Sequence, residues 1–240
     1  MLSIYKKEIQ SFFNSLIAYI VIGIFLTVLG LYMWVIPDTV FDLAVADMSL
    51  LFTVSPFVFL FLIPAITMRS FAEEKRAGTL ELLLTRPITE WQLVFGKTLA
   101  ALTIVVIALI PTLVYFYTIY SLGNPVGNID AAGVVGAYIG LILLATVLSA
   151  IGTFSSVLTD NQIVSFVFAL FFGWVLLEGI SYLGQLIGGN AGLFISELSL
   201  THHYASLSKG VLDFVNLSYL LSVACMFTAA TRLVLLSRKW

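Results

Sequence analysis

Residues 16–36 read LIAYIVIGIFLTVLGLYMWVI, twenty-one positions without a charge. At about 1.5 Å of rise per residue, a helix over this run covers about 30 Å, the thickness of a bilayer's hydrocarbon core. A helix on the surface of a soluble domain needs a polar face, and this run has none. The rest of the chain agrees. Hydrophobic types fill 60% of 240 positions and charged types 10%, more apolar surface than a water-facing exterior can hide. Lys6 and Lys7 before the run imitate a signal peptide, but no small-residue cleavage site follows, so the run reads as a retained span. Residues 2–13, with Ile4, Tyr5, Ile9, Phe12 and Phe13 among polar neighbours, read as a short helix lying on the inner membrane surface.

Five further apolar stretches predict an all-α membrane protein, one domain over residues 1–240, with six spans at about 16–36, 49–68, 98–122, 134–158, 163–187 and 214–236. Pro56, Pro64 and Pro111 inside spans predict kinks backed by neighbouring helices. Six spans leave both termini on one side. Lys6, Lys7, Arg69, Lys75, Arg76, Arg86, Lys97, Arg232, Arg238 and Lys239 fall on that side and only Lys209 on the other. By the positive-inside rule the termini are cytoplasmic. The acids Asp38, Asp42, Asp47, Asp130, Glu197 and Asp213 fall on the outer face. Tyr32 and Trp34 mark the outer boundary, Trp91 and Trp240 the inner one. A turn at 160–162 only reverses the chain. The larger connections are the cytoplasmic segment 69–97 and the outer segment 188–213.

The cytoplasmic segment begins Arg69-Ser-Phe-Ala-Glu-Glu-Lys-Arg and continues Ala-Gly-Thr-Leu-Glu-Leu-Leu-Leu-Thr-Arg-Pro. Residues 69–76 extend span two with a mixed-charge surface. Gly78 permits a sharp change of direction. Residues 80–84 suit one or two helical turns, too short to stand alone, and Pro87 ends them by disfavouring helical geometry at Arg86. Thr89 with Gln92 fits a capping box opening span three. Leu80, Leu82, Leu83 and Leu84 around the single acid Glu81 make a stub that must bury against lipid or a groove on a cytoplasmic partner. In the second case Glu81, Arg76 and Arg86 fix its register.

This run, with Glu73, Gly78-Thr79-Leu80-Glu81-Leu82-Leu83-Leu84-Thr85, Pro87 and Gly96-Lys97, resembles the signature of type-2 ATP-binding-cassette (ABC) transporter permeases. Within that family it is most similar to the subgroup associated with gliding motility and copper-enzyme maturation. Residues 201–219, with His202-His203-Tyr204, Gly210-Val211-Leu212-Asp213 and Asn216-Leu217-Ser218-Tyr219, resemble that subgroup's segment before the last span. The resemblance implies a permease subunit of an exporter in a bacterial plasma membrane. It would pair with a second permease subunit, identical or different, and with two cytosolic ATPase subunits that bind ATP and Mg. It also implies that residues 79–85 form a coupling helix, that Glu73, Gly78, Thr79, Leu80, Glu81 and Leu84 carry the coupling, and that the outer segment before span six is partly re-entrant.

Other patterns carry less. Gly96-Lys97-Thr98 imitates the end of a phosphate-binding loop, but Trp91 stands where the first glycine belongs, so no ATPase site and no resident cofactor is expected in this chain. Adjacent His202 and His203 point about 100° apart on a helix and do not share a metal as an i, i+4 pair does. They stand with Glu178, the one acid inside a span, as possible pathway or gate residues rather than catalytic or metal-binding ones. Gly136 and Gly140 form a small-xxx-small pair that permits close helix approach. Cys225 alone excludes an intrachain disulfide. No basic cluster supports nucleic acid. The competing classes are an ion-coupled secondary transporter, which needs more ionisable groups in mid-membrane, and an intramembrane enzyme, which needs a nucleophile with a base at matching depth.

Overall fold

Ser15 accepts a hydrogen bond from the Ile17 amide and so starts the first long helix just after a short one ends. The pair is α1 (Leu2–Phe13) and α2 (Leu16–Trp34). The computed structural model describes residues 1–36, 40, 45–84 and 88–237, without the side chains of Leu82 and Leu84. Asp38, Asp42, Thr85, Arg86, Pro87, Arg238, Lys239 and Trp240, which enter the orientation and helix-end readings, lie outside the described residues. The chain continues as α3 (Ser49–Thr67), α4 (Ala72–Arg76), α5 (Thr79–Leu84) and α6 (Glu90–Leu109). A 3-10 turn at Ile110–Thr112 leads into α7 (Leu113–Leu122), followed by α8 (Ala131–Leu158) and α9 (Gln162–Trp174). A π-turn at Val175–Gly179 precedes α10 (Ile180–Ile187), and α11 (Gly189–Glu197), α12 (Leu200–Leu207) and α13 (Phe214–Ser237) complete the order.

Among the described residues six helical stretches are long and apolar enough to cross a membrane: Leu16–Trp34, Ser49–Arg76, Glu90–Leu122, Ala131–Leu158, Gln162–Ile187 and Phe214–Ser237. The sequence reading placed the same six. Its largest boundary differences are at the end of span two, which runs to Arg76, and at the start of span three, which begins at Glu90. The Thr89–Gln92 capping box expected to open span three is formed in both directions, and residues 90–97 continue from it into the apolar run.

The second and fourth spans form the centre, with 61% of each apolar window buried. The first, fifth and sixth stay below 30% and turn their apolar side chains outward. Lipid is the solvent such a perimeter requires. Close approach to the central α8 is built from small residues. A side chain at Gly136 would strike the backbone of Gly210, and one at Gly140 would strike Leu207. The small-xxx-small pair therefore packs against residues 207–210 of the same chain.

The prolines behave in two ways. Pro111 breaks the third span into the 3-10 turn, where Thr112 Oγ1 bonds Leu109 O at 2.6 Å. Pro56 and Pro64 lie inside an uninterrupted α3. Pro56 has no N–H for the carbonyl of Phe52, four residues earlier, and the buried Tyr204 hydroxyl donates to that carbonyl instead, at 2.8 Å. A donor from another helix thus replaces the missing backbone donor.

Candidate functional site

One end of the bundle gathers Ile4 of α1, Phe71, Leu80 of α5, Leu93 and Val94 of α6, Val157 of α8 and Leu235 of α13 into a small apolar cluster. The N-terminal helix, the end of α13 and the segment between spans two and three therefore share one end. A side chain at Gly96 would press on Ile4, so glycine is what lets α1 lie against α6.

The chain leaves α3 at Thr67 and turns through residues 68–71 into α4. Ser156 of α8 holds this turn. Its fully buried hydroxyl accepts from the Phe71 and Ala72 amides at 2.9 and 3.0 Å and lies 3.1 Å from the Met68 carbonyl, to which it donates. The first N–H groups of a helix have no partner within it, and a serine from another helix supplies one here. Lys75 Nζ donates to the Val157 carbonyl at the end of α8, where a cation also meets the negative end of the helix dipole. Gly78 then takes φ +67°, the turn read from its identity, and α5 follows.

In α5 one of the four leucines is already buried against the chain itself. Leu80 is 4% exposed and sits in the chain's own cluster, while Thr79 and Glu81 face outward. Glu73 and Gly78 are exposed beside them. Glu73, Gly78, Thr79 and Glu81 are thus each exposed at this end, with Leu80 turned inward between Thr79 and Glu81. The Leu84 side chain lies outside the described residues.

An ion network that the sequence reading did not anticipate lies behind this surface. Lys97 is 2% exposed, about 12 Å along the helix from its Thr89 cap. Its ammonium reaches Glu8 Oε1 at 2.7 Å, Glu74 Oε1 at 3.0 Å and the Ser70 carbonyl at 2.5 Å, and lies 4.9 Å from the centre of the Phe71 ring. Lys7 of α1 donates to the same Glu74 oxygen at 2.7 Å. Burial alone would lower the Lys7 pKa, but the hydrogen bond to Glu74 and the charges of Glu74, Glu8 and Glu73 outweigh it and hold the pKa above the ordinary lysine value. The signal was present in the sequence: an uninterrupted helix from the Thr89 cap puts Lys97 two turns in, where a cation needs a partner. The residue imitating a phosphate-binding lysine is therefore committed to carboxylates of its own chain.

At the opposite end α10 and α11 form a tight hairpin. Gly188 and Gly189 both take positive φ, and a side chain on Gly184 would strike the Gly192 carbonyl. Thr201 of α12 donates to the Leu177 carbonyl at 2.7 Å and lies 2.9 Å from Glu178 Oε1, so Glu178 reaches a neighbouring helix from within the π-turn. His203 Nδ1 lies 2.7 Å from Asn216 Oδ1, and its ring stacks on Tyr219 at 3.8 Å. Asn216 Nδ2 faces Asp213 Oδ2 and Ser206 Oγ, so its oxygen faces the imidazole and Nδ1 carries the proton. His202 is exposed and meets the His203 ring edge-on. Glu178 and His203 are thus both bonded to residues around α12, but each to its own partners.

A central helix pair, a lipid-suited perimeter and opposed polar ends define a multi-pass α-helical membrane protein. Residues 2–237 match the family described as ABC-2 family transporter protein, and the chain belongs to that family. It is accordingly an ABC transporter permease, the membrane component in that family. No curated protein matches the chain.

Proposed function

We propose that this chain is the permease subunit of an ATP-driven exporter and that separate cytosolic subunits bind ATP and Mg and push on α5. The observation that carries the reading is the mounting of α5. Leu80 anchors it from behind, Thr79 and Glu81 present its outer face, and Gly78 sets its angle to α4. A push there passes along α4 to α8 through Ser156 and Lys75, and to α1 and α6 through Glu74 and Lys97. The coupling helix of the family is then α5, with Glu73, Gly78, Thr79, Glu81 and Leu84 meeting the ATPase and Leu80 holding the mount.

The basic residues Lys6, Lys7, Arg69, Lys75, Arg76 and Lys97 near this end support a cytoplasmic position for it in a bacterial plasma membrane. A second permease chain, identical or not, completes the pathway, and the resemblance to the gliding-motility subgroup favours a different one. At the other end the α10–α11 hairpin and α12 form a partly re-entrant exit, gated by Glu178, His202 and His203.

Single cysteines at Thr79 and Glu81, in a Cys225→Ser background, test the central claim. Cross-linking to a co-purified ATPase subunit is expected from both. If no ATP-hydrolysing subunit co-purifies in mild detergent and neither cysteine cross-links to one, the reading is wrong. For the exit, Glu178→Gln keeps an acceptor for Thr201 and removes the charge, so unchanged export would retire the gate.

A further inference from the structure

Beneath α1 lies a pocket of about 270 Å³, walled by α1, the end of α3, α4 and the start of α6. It falls just below the roughly 300 Å³ at which drug-sized sites begin, which suits a small ligand or the head of a larger one. Ile66, Ala101 and Ile104 give it a buried apolar side, continuous with the apolar interiors of spans two and three. The lining also carries six charges, with Lys7, Arg69 and Lys97 set against Glu8, Glu73 and Glu74.

Most of this charge is already matched. Lys97 is paired with Glu8 and Glu74, and Lys7 with Glu74. Two groups are left over. Arg69 lies within 4 Å of no carboxylate among the described residues, its one hydrogen bond going from Nη2 to Ser15 Oγ at 2.9 Å. Glu73, four residues on, is exposed and forms no ion pair among the described residues. The pocket is neutral overall, and Arg69 and Glu73 are the two charges in its lining without an ion pair among the described residues, although the Glu73 charge also acts on Lys7 at longer range.

We infer that this pocket binds a zwitterion carrying a phosphate next to a primary ammonium, the chemistry of a phosphatidylethanolamine headgroup or of free phosphoethanolamine. The Arg69 fork accepts the phosphate, to which its planar donors are matched. The ammonium donates to Glu73. A lone phosphate leaves Glu73 unanswered and a lone amine leaves Arg69 unanswered, so neither fits both. A quaternary ammonium has no N–H to give the carboxylate. Where the ligand is a lipid, the apolar side takes the first part of its tail. The inference shares Glu73 with the transporter reading, but it is tested by lipid retention on the chain alone, so its failure and that reading's failure are separate outcomes.

The test uses the full chain in nanodiscs of equal parts phosphatidylethanolamine, phosphatidylcholine and phosphatidylglycerol, with bound lipid read by native mass spectrometry. The wild type should retain phosphatidylethanolamine in preference to both others, and Arg69→Gln and Glu73→Gln should each weaken that retention roughly tenfold, the loss of one charge-assisted bond. Neither residue is buried, so both variants should fold. Ala101→Leu, which fills the apolar side, should abolish retention of lipid. A second arm adds phosphoethanolamine to the detergent-solubilised chain. A rise in melting temperature that Arg69→Gln removes, without lipid preference in the first arm, assigns the pocket to the soluble zwitterion. Preference for phosphatidylglycerol overturns the inference, as does retention of all three lipids alike with no response to phosphoethanolamine.

Discussion

Replacing Lys97 by methionine keeps most of the side-chain volume and removes the charge around which α1, α4 and α6 are joined. Taking one partner from a buried ion pair costs about 3–5 kcal/mol, because the remaining charge stays desolvated. Two features place this site at the lower end. The Glu8 side chain is one-fifth exposed and regains some water, and Lys7 still meets Glu74 at 2.7 Å. The loss should therefore be about 3 kcal/mol. Glu74→Gln should cost less, about 2 kcal/mol, because Lys97 keeps Glu8 and the Ser70 carbonyl. In the double variant both central charges are gone, so its loss should fall at least about 1 kcal/mol short of the sum of the singles. The assay is reversible unfolding of the full chain in mixed micelles titrated with SDS, followed for all four members of the cycle. Strict additivity, or a loss under about 1 kcal/mol for Lys97→Met, would refute the claim that this network binds the three helices together.

Ser156→Ala removes the acceptor of the Phe71 and Ala72 amides, and by the same unfolding assay should cost about 2–4 kcal/mol; a change under about 1 kcal/mol would mean that the turn finds other partners. Tyr204→Phe leaves the Phe52 carbonyl, already short of a donor because of Pro56, with none, and should cost about 1–3 kcal/mol and raise proteolysis in residues 208–213; unchanged cleavage would count against α12 being held there. The folded-state pKa of Lys7 is raised, so its contribution is complete below the ordinary lysine value and is lost only as pH rises through that raised value. A fluorophore on α1 should therefore report no release between about pH 6 and 9, and release within that window would contradict the pairing.

Hydropathy made the spans legible because lipid imposes one requirement, an unbroken apolar run, on every crossing element. The same logic hid Lys97. Charge was taken to mark the end of a span, whereas the chain carries the charge inward and neutralises it with Glu8, 89 residues earlier in sequence. Gly78 and the Thr89–Gln92 cap were readable because each acts within a few residues. The direction in which Leu80 faces was not, since Ile4, Val157 and Leu235 come from three distant helices. At the opposite end the types of Glu178, His202 and His203 marked them out. Their partners Thr201 and Asn216 depend on where a π-turn and a hairpin set α12, and neither has a sequence signature as plain as an apolar run.

Val175–Gly179 has a further bearing on span five. A π-turn accommodates one residue more than the α-helical count, so every position after it occupies the slot its predecessor would otherwise fill. Wind it as an ordinary α-turn with no residue removed and Leu183 arrives where Gly184 now meets Gly192, a spot too narrow for any side chain. The hairpin's closure is thus governed by arithmetic along the chain as much as by chemistry, and a change of winding that touches no glycine is enough to prise it open.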